Sequence, residues 1–230
     1  MEEALVIYPY MEQSVYEAMA LDELLFGEAR ADRKAFIRLY SFDTPCITLG
    51  YFQKHGEDSG ISIPWTRRIT GGGVVQHDSD IILTFSGIPD LKKNPLQDLY
   101  RKIHSSLIPS LSEWVSELSL KKDAAASKPD RHSYCFQQPV LHDILAEETK
   151  IAGGALCLKK DIFLYQGALK LPWLKQSEKD RETLLSYFIR YYYADQKINL
   201  IKNQSVDHLQ KNVKLLAEEK YNNPEWKRKE

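Results

Sequence analysis

Two arginines, three glycines and a histidine fall within one short stretch, RRITGGGVVQHD, which runs from Arg67 to Asp78. Three consecutive glycines remove three β-carbons, so the backbone can approach a ligand closely and turn its N–H groups toward an anion. The adjacent arginines supply permanent charge and forked donors that suit a carboxylate or a phosphate. The stretch therefore predicts an anion-binding loop, with a glycine-rich hairpin turn as the alternative.

The residues of this loop are not all expected to contact the ligand. Arg68 is the arginine nearer the glycines and is expected to touch the ligand, whereas Arg67 is expected to form a surface ion pair. His77 either orients the loop or assists proton transfer, although a lone histidine often serves only as a hydrogen-bonding partner within the fold. The predicted binding residues here are Arg68, Thr70, Gly71, Gly72, Gly73 and His77.

This stretch resembles the signature of the lipoate-protein ligase A, octanoyltransferase and biotin-protein ligase superfamily, approximately R-R-x-[ST]-G-G-G-x-V-x-H-D. Two further stretches are similar to that family in the right order: an N-terminal helix around residues 15–26, containing MALDE, and the lysine motif KIAGGA at residues 150–155. The glycine-rich loop lacks the G-R-G-R-x-G pattern of biotin ligases. The resemblance spans about the first 170 residues and implies the α+β catalytic domain of these ligases and transferases.

The resemblance also implies a reaction, which is the transfer of a lipoyl or octanoyl group to one lysine of a lipoyl carrier domain. The implied acceptors are lipoyl domains of 2-oxoacid dehydrogenases or the glycine cleavage H protein, with acyl carrier protein as a candidate donor. No nucleic acid, membrane, metal site or tightly bound cofactor is expected. ATP and Mg²⁺ would be needed only by a ligase that forms a lipoyl-adenylate. A non-catalytic protein that binds acyl groups or carrier domains is a further alternative.

Lys150 is the candidate electrophile, because an ammonium near the acyl oxygen stabilises the oxyanion that develops on attack. Gly153 and Gly154 would let a ligand or another backbone come close. The alternative is a solvated lysine at a strand end. Gln166 and Gly167 stand where many relatives carry His-Gly, so a binding role is expected at both, but no proton transfer at Gln166, since an amide does not titrate.

Cys135 distinguishes transferase from ligase. With Phe136 and Pro139 it resembles the C-F-x-x-P of cysteine-type octanoyltransferases and amidotransferases, in which the thiol forms an acyl-enzyme. An activated thiolate could accept an acyl group as a thioester and pass it to an amine. A small buried apolar side chain is the alternative. The chain also ends without the accessory domain of many ATP-using ligases, which disfavours an autonomous ligase, although some relatives hold that domain on a separate chain.

The composition of the chain excludes several classes of protein. Hydrophobic residues make up 43% of the 230 residues and the formal net charge is −1, so no global field attracts nucleic acid or an anionic membrane. The N-terminus lacks the pattern of a secretory signal. Three widely spaced cysteines fit neither a disulfide framework nor a C-x-x-C metal site. Two of them, Cys46 and Cys157, lie within apolar strands and are predicted to belong to the core. We expect a cytoplasmic protein.

Helices and strands predicted from the sequence must hold these residues in place. The S-x-x-E at Ser14 predicts a helix that carries Asp22, either as a cap or ion-pair partner or as a support of the glycine loop. Apolar periodicity predicts a long core helix over 95–120, and a polar lid over 121–132 follows it. Predicted strands lie at residues 5–8, 36–42, 46–51, 139–145, 150–159 and 161–171, the last two joined by a hairpin turn at residues 159–161. Predicted helices lie at residues 180–193 and 206–216. The segment at residues 49–53 is similar to a family segment ending G-x-x-Q that lines the acyl pocket, with an ordinary core role as the alternative.

These elements alternate without a regular βαβ pattern, which predicts an α+β fold with a mixed or antiparallel sheet and packed helices. The length suits one domain, so residues 1–230 are assigned to a single lipoate/biotin ligase-type catalytic domain. Its core covers about residues 5–200, and residues 203–230 form a C-terminal helix and a polar tail. The last residues, 222–230, are expected to fray.

Overall fold

The computed structural model describes residues 3–53, 62–89, 95–123, 136–194, 196–202 and 204–228. Within these ranges the strands are β1 (Glu3–Ile7), β2 (Met11–Gln13), β3 (Ala35–Phe42), β4 (Cys46–Leu49), β5 (Trp65–Arg67), β6 (Val75–His77), β7 (Ile81–Gly87), β8 (Leu118–Leu120), β9 (Ile144–Ala146), β10 (Thr149–Lys159), β11 (Ile162–Leu169) and β12 (Ile198–Lys202). The helices are α1 (Val15–Asp32), α2 (Pro95–Leu111), α3 (Glu178–Tyr193), α4 (Gln210–Leu216) and α5 (Pro224–Lys227).

The described strands form two sheets. The larger one runs β12-β1-β3-β7-β11-β10-β9-β8, and β2 pairs with β3 beside this path. Its β1 and β12 are parallel, whereas β3, β7, β11 and β10 pair antiparallel in turn, so the sheet is mixed. The smaller sheet has the order β5-β4-β6. The predicted α+β class with a mixed sheet is confirmed.

Two apolar cores lie on opposite faces of the large sheet, as the alternation of side chains along β11 shows. Leu164 and Ala168 face the core beneath α1, whereas Phe163 and Tyr165 face the core beneath α2 and α3. All eight residues of β11 are buried, because helices cover both faces of the sheet. A central strand of this kind can carry functional side chains on either face.

Helix α1 begins as the sequence predicts. The Ser14 hydroxyl accepts from the Glu17 amide at 3.3 Å and donates to the Glu17 carboxylate at 2.9 Å, which is a capping arrangement. The helix ends at Arg33, which has a φ of 54° and donates its N–H to the Ala29 carbonyl. This helix presents Asp22 to the sheet with no solvent exposure.

The predicted helix over residues 95–120 is too long, because α2 ends at Leu111. Pro109 lies in its last turn and lacks the N–H that would bond to the turn before it. Glu117 then has a φ of 54°, and Leu118 belongs to β8. The apolar spacing continues past the helix because the same residues pack into the core as a turn and a strand.

Strand β12 was not predicted, and it pairs in parallel with β1 at the edge of the large sheet. The predicted helix over 206–216 is also shorter, since α4 follows a 3₁₀ turn at Asp207–Leu209 and precedes a π-helical turn at Ala217–Tyr221. No described helix has both the length and the apolar character needed to cross a membrane.

The C-terminal segment does not fray within the described residues, and this corrects the expectation for both the segment and Arg67. Trp226 of α5 donates its indole N–H to the Arg67 carbonyl at 2.8 Å. Arg67 is buried and donates to the carbonyls of Trp226 and Lys227, at 3.2 and 2.9 Å. Arg67 is therefore a buried donor and does not form the predicted surface ion pair. Its hydrogen bonds hold the C-terminal segment in place.

Candidate active site

An apolar cavity of about 40 Å³ lies between α1, the glycine loop and strands β3, β10 and β11. Of the residues predicted from the sequence, its walls contain Arg68, Gly72, His77, Gly153, Gly154, Gln166 and Gly167. Residues that were not among the predicted site residues complete it, namely Met19, Tyr40, Phe42, Thr48, Val75, Ile82, Phe136, Ala155 and Ala168. A cavity of this size holds about one water molecule, so an eight-carbon chain enters only if the walls move apart.

The apolar walls were missed because their residues look like ordinary core. Tyr40 and Phe42 alternate along β3 and therefore share one face, and Ile82 pairs with Tyr40 from β7. Alternation along a predicted strand could have placed Tyr40 and Phe42 together. It could not have shown that this face is left partly uncovered beside the glycine loop.

The glycine loop crosses between the two outer strands of the small sheet. It joins β5 and β6, each of which pairs with β4 and not with the other, so the loop is not a simple hairpin turn. Gly72 has a φ of 84°, and a Cβ there would lie 2.9 Å from Nη2 of Arg68. A Cβ on Gly50 would lie only 1.9 Å from the Gly72 carbonyl oxygen. Close approach of the backbone therefore requires glycine at position 50, whereas the positive φ requires it at position 72.

Arg68 holds the loop from beneath. Its Nη2 donates to the carbonyls of Gly71 and Gly73, both at 2.8 Å, and its Nη1 donates to the carbonyl and hydroxyl of Thr48, at 3.1 and 3.0 Å. A planar fork suits such a set of acceptors, because its N–H directions are fixed. The guanidinium thus shapes the loop, and its contact with a substrate stays a prediction.

His77 continues this network away from the loop. Its Nε2 lies 2.8 Å from the Thr48 hydroxyl, and its Nδ1 lies 2.8 Å from Oδ2 of Asp80. Burial alone would raise the pKa of Asp80, but the His77 ring and the Lys170 ammonium outweigh burial, so the pKa of this carboxyl lies below its usual value. With both ring nitrogens engaged, His77 orients Thr48 beneath the loop.

A second network supports the loop from α1. Gln166 donates from Nε2 to Oδ2 of Asp22 at 2.6 Å, and its Oε1 accepts from the Thr70 hydroxyl at 2.7 Å. Asp22 also accepts from Nε of Arg38 at 2.7 Å and from the Tyr40 hydroxyl at 2.9 Å. Both weighed roles of Asp22 are therefore present, since it pairs with an arginine and supports the glycine loop through Gln166.

Lys150 forms a buried ion pair next to the cavity. Its Nζ lies 2.7 Å from Oδ2 of Asp143, and both side chains are fully buried, which excludes the solvated strand-end lysine. The Val140 N–H donates to the same Oδ2 at 2.7 Å. The Lys150 ammonium also lies 5.0 Å from the ring centroid of Phe136, which lines the cavity. The lysine is therefore held with its charge beside the apolar wall.

The glycines of β10 and β11 make room for side chains. A Cβ on Gly153 would lie 2.4 Å from Cε and 2.6 Å from Nζ of Lys150. Gly154 pairs with Gly167 across the two strands, and a Cβ on either residue would overlap the ring or hydroxyl of Tyr165. The close approach predicted for these glycines is made by Lys150 on one face and by Tyr165 on the other.

Helix α2 contributes polar groups to the site, although its apolar stripe predicts a core role alone. The Tyr100 hydroxyl donates to Oδ1 of Asp143 at 2.7 Å and accepts from the Gly154 N–H at 3.0 Å. One turn later, His104 lies 2.8 Å from both the Tyr165 hydroxyl and the His142 carbonyl oxygen. The spacing of four residues on a helix next to an apolar stripe was the available signal.

Two sequence-based expectations about pocket residues fare differently. Cys135 lies outside the described residues, as does most of the predicted lid, whereas its neighbour Phe136 lines the cavity. The segment Gly50–Gln53, which resembled a pocket-lining segment of the family, supports the glycine loop without lining the cavity: the Tyr51 N–H donates to the Thr70 carbonyl at 2.9 Å. Cys46 and Cys157 have thiol pKa values raised by burial, which fits their predicted core roles.

Comparisons with known proteins agree with this architecture. The family described as "Lipoyl protein ligase A/B catalytic domain" matches residues 14–222. The chain is 29% identical over 178 residues to octanoyltransferase LipM of Oceanobacillus iheyensis, which covers 71% of this chain and 64% of that protein. It is 27% identical over 258 aligned positions to LipM of Bacillus anthracis, which covers 90% of this chain and 92% of that protein.

A candidate lipoate protein ligase from Thermoplasma acidophilum shares the fold. Its structure aligns with a TM-score of 0.74 at 20% sequence identity and covers 99% of both chains. A second structure of that protein contains bound lipoic acid. The predicted relation of the fold to lipoate ligase catalytic domains is confirmed.

Proposed function

Because the chain belongs to the lipoyl protein ligase A/B catalytic-domain family, we propose that it transfers an octanoyl or lipoyl group to a specific lysine of a lipoyl carrier domain. One observation carries the proposal: the glycine loop bounds an apolar cavity on one side, and the buried Lys150–Asp143 pair lies directly behind the cavity wall. The Lys150 ammonium approaches two residues of that wall, Phe136 and Gly153. An acyl chain needs the apolar walls, and its carbonyl needs the charge.

The residues around the cavity divide the work in this proposal. Met19, Phe42 and Ile82 contact the acyl chain, and burial of each methylene contributes about 0.8 kcal/mol. Lys150 stabilises the oxyanion that forms when the acyl carbonyl is attacked. Gly72 keeps the loop backbone close enough to the reacting carbonyl for an N–H contact, since any side chain there would meet Arg68.

We propose that Cys135 carries the acyl group between donor and acceptor. Its thiolate attacks the carbonyl of an acyl thioester, the bond to the carrier sulfur breaks, and the carrier thiol leaves with a proton. The neutral amine of the acceptor lysine then attacks the new thioester, so that an amide forms, the Cys135 thiolate departs and the amine loses a proton. The position of Phe136 in the cavity wall, directly after Cys135 in sequence, favours this route.

An ATP-dependent ligase is the second candidate, and the structural similarity to a candidate lipoate protein ligase favours it. In that route a lipoyl-adenylate replaces the thioester, and ATP with Mg²⁺ is consumed. In either route we propose lipoyl domains of 2-oxoacid dehydrogenases or the glycine cleavage H protein as acceptors, with acyl carrier protein as the donor in the first. A cytoplasmic location stays a prediction.

Mass spectrometry of the protein and the acceptor separates the routes. Octanoyl carrier protein without acceptor should leave a hydroxylamine-sensitive octanoyl adduct on Cys135, because deacylation then lacks its amine. Cys135→Ser should lose nearly all turnover, since a hydroxyl is a much weaker nucleophile at neutral pH. An active serine variant that requires ATP and Mg²⁺ would support the ligase. An unmodified acceptor in both assays would contradict both routes.

A further inference from the structure

We infer that Tyr100 is a positioning residue for Lys150, an inference that rests on the proposed acyl transfer. Tyr100 contributes no atom to the described cavity wall, and its effect must pass through other groups. Its hydroxyl lies between two of them: it donates to Oδ1 of Asp143 at 2.7 Å and accepts from the Gly154 N–H at 3.0 Å. One hydroxyl therefore links the partner of Lys150 to the strand that carries Lys150.

The position of the lysine depends on this link because β10 loses its neighbour there. Strand β9 pairs with β10 through Thr149, Lys150 and Ala152, with a register shift between the last two. Beyond Ala152, the Gly154 N–H bonds to a side chain, the Tyr100 hydroxyl, in place of a ladder partner. Tyr100 thus completes the edge of the strand immediately after the bulge that carries the lysine.

The carboxylate of Asp143 is held on both oxygens. Oδ2 accepts from the Val140 N–H and lies 2.7 Å from Nζ of Lys150, whereas Oδ1 accepts from Tyr100. Since a Cβ at Gly153 would lie 2.9 Å from Oδ1 and 2.6 Å from Nζ, the ion pair lies flat against this glycine. Loss of the Tyr100 donor would leave Oδ1 free to turn and to take the ammonium with it.

The Tyr100 ring is itself fixed, so its hydroxyl can act as a reference point. It packs against the His104 ring in a tilted arrangement, with the ring centroids 4.1 Å apart and the planes at 34°. His104 is buried and spans the Tyr165 hydroxyl and the His142 carbonyl oxygen. Helix α2 therefore determines the position of the lysine from the face of the sheet opposite the acyl cavity.

The test compares Tyr100→Phe with Tyr10→Phe in octanoyl transfer to a lipoyl domain. Tyr10 is a matched control because its hydroxyl forms one part-buried bond, 2.6 Å from Ser41, outside the site. Tyr100→Phe should lower kcat about ten- to a hundredfold with little change in KM for the acceptor, the range typical for loss of a hydrogen bond to a charged group. Tyr10→Phe should retain the parental kcat.

A double-mutant cycle distinguishes positioning from a general structural role. In a Lys150→Met background, Tyr100→Phe should cause no further loss of rate, because its effect passes through the lysine. A full additional loss in that background would contradict the inference. If Lys150→Met does not fold, the same cycle is run on Lys150→Met/Asp143→Asn, which leaves no buried charge unpaired. Folding of each variant is checked by near-ultraviolet circular dichroism.

The proposed acyl transfer and the positioning role of Tyr100 can fail separately. If Lys150→Met keeps normal turnover, the electrophilic role in the proposed function is wrong, whatever Tyr100 does. If Lys150→Met loses turnover and Tyr100→Phe keeps it, the proposed function stands and the positioning role of Tyr100 is wrong.

Discussion

At the scale of single residues, the buried pair of Lys150 and Asp143 changes how a lysine variant must be designed. The sequence predicts that Lys150→Ala abolishes acyl transfer without unfolding the protein, because the predicted role of the lysine is to stabilise developing charge and not the core. In the structure both members of the pair are fully buried. Removing one charge leaves the other uncompensated, which costs roughly 3–5 kcal/mol, so activity and stability would be lost together.

A pair of variants separates these two losses. Lys150→Met should abolish transfer, about a hundred- to a thousandfold in rate, and should also lower the free energy of unfolding. Adding Asp143→Asn should restore part of the stability, because it removes the unpaired buried charge and its amide oxygen can still accept from Tyr100. It should not restore turnover. Urea unfolding and acceptor mass measure the two quantities, and recovery of turnover in the double variant would remove the lysine charge from the mechanism.

Gly72 is predicted to matter for acyl binding more than for global stability. A valine there would need a φ near 84°, and its Cβ would lie 3.2 Å from the Cβ of Ala155 and 2.9 Å from Arg68. We expect Gly72→Val to abolish octanoate binding in calorimetry. Gly27→Ala is the matched control, since a Cβ there meets nothing within 4 Å and the position is helical. Unchanged affinity in Gly72→Val would show that the loop does not bind the acyl group.

At the scale of elements, α5 and Arg67 hold the segment that supports the glycine loop. Nη1 of Arg67 donates to the carbonyls of Gly50, Tyr51 and Gln53, at 3.0, 3.1 and 2.5 Å. The same guanidinium bonds to the carbonyls of Trp226 and Lys227. One side chain therefore ties the C-terminal helix to the segment whose Gly50 packs on Gly72.

This arrangement predicts unequal costs for two variants. Arg67→Met should lower the free energy of unfolding by roughly 3 kcal/mol or more, because it leaves several carbonyl oxygens without their donor. Trp226→Phe should cost about 1 kcal/mol, since it removes one indole hydrogen bond and keeps most of the ring. Urea unfolding checks both values. Equal costs would mean that packing of the helix, and not the guanidinium, holds the segment.

The sequence predicted elements well where local pattern decides them. The cap at Ser14 marks the start of α1, and β10 and β11 meet in the expected hairpin, where Lys160 has a φ of 59°. The sequence did not predict elements that are determined by pairing between distant parts of the chain. The partly polar strand β12 is specified by parallel pairing with β1, which no local pattern records. The spacing of apolar residues in and beyond α2 likewise could not distinguish a helix from a helix followed by a strand.

The candidate site divides in the same way. Candidate site residues such as Gly72 and Lys150 could be predicted from the sequence, because glycine triplets and lysines within such motifs are seldom needed for the fold alone. Tyr100 and Asp143 could not, because their roles depend on α2 packing beside the open edge of β10. Ionisable residues inside a core helix are worth examining for contacts with a neighbouring site.

At the scale of the whole molecule, buried polar networks support the site from both faces of the sheet. Asp22 and Gln166 act from the α1 face, whereas Tyr100, His104 and Tyr165 act from the α2 face. The pKa of His104 is lowered to about 3, and burial of the ring is the main cause. The ring is therefore neutral at physiological pH, so that Nδ1 donates to the His142 carbonyl and Nε2 accepts from Tyr165.

This neutral histidine predicts a pH dependence of stability. Its folded pKa, about 3, lies below the unfolded value near 6.5, so the unfolded chain binds one more proton between these two pH values. Stability from His104 is therefore complete above pH 6.5 and is lost as the pH falls toward 3. His104→Gln keeps a donor and an acceptor but does not titrate. Between pH 7 and 5, wild type should lose about 2 kcal/mol more unfolding free energy than His104→Gln. Urea titrations at both pH values measure this difference, and equal losses would show that the ring is protonated in the native state.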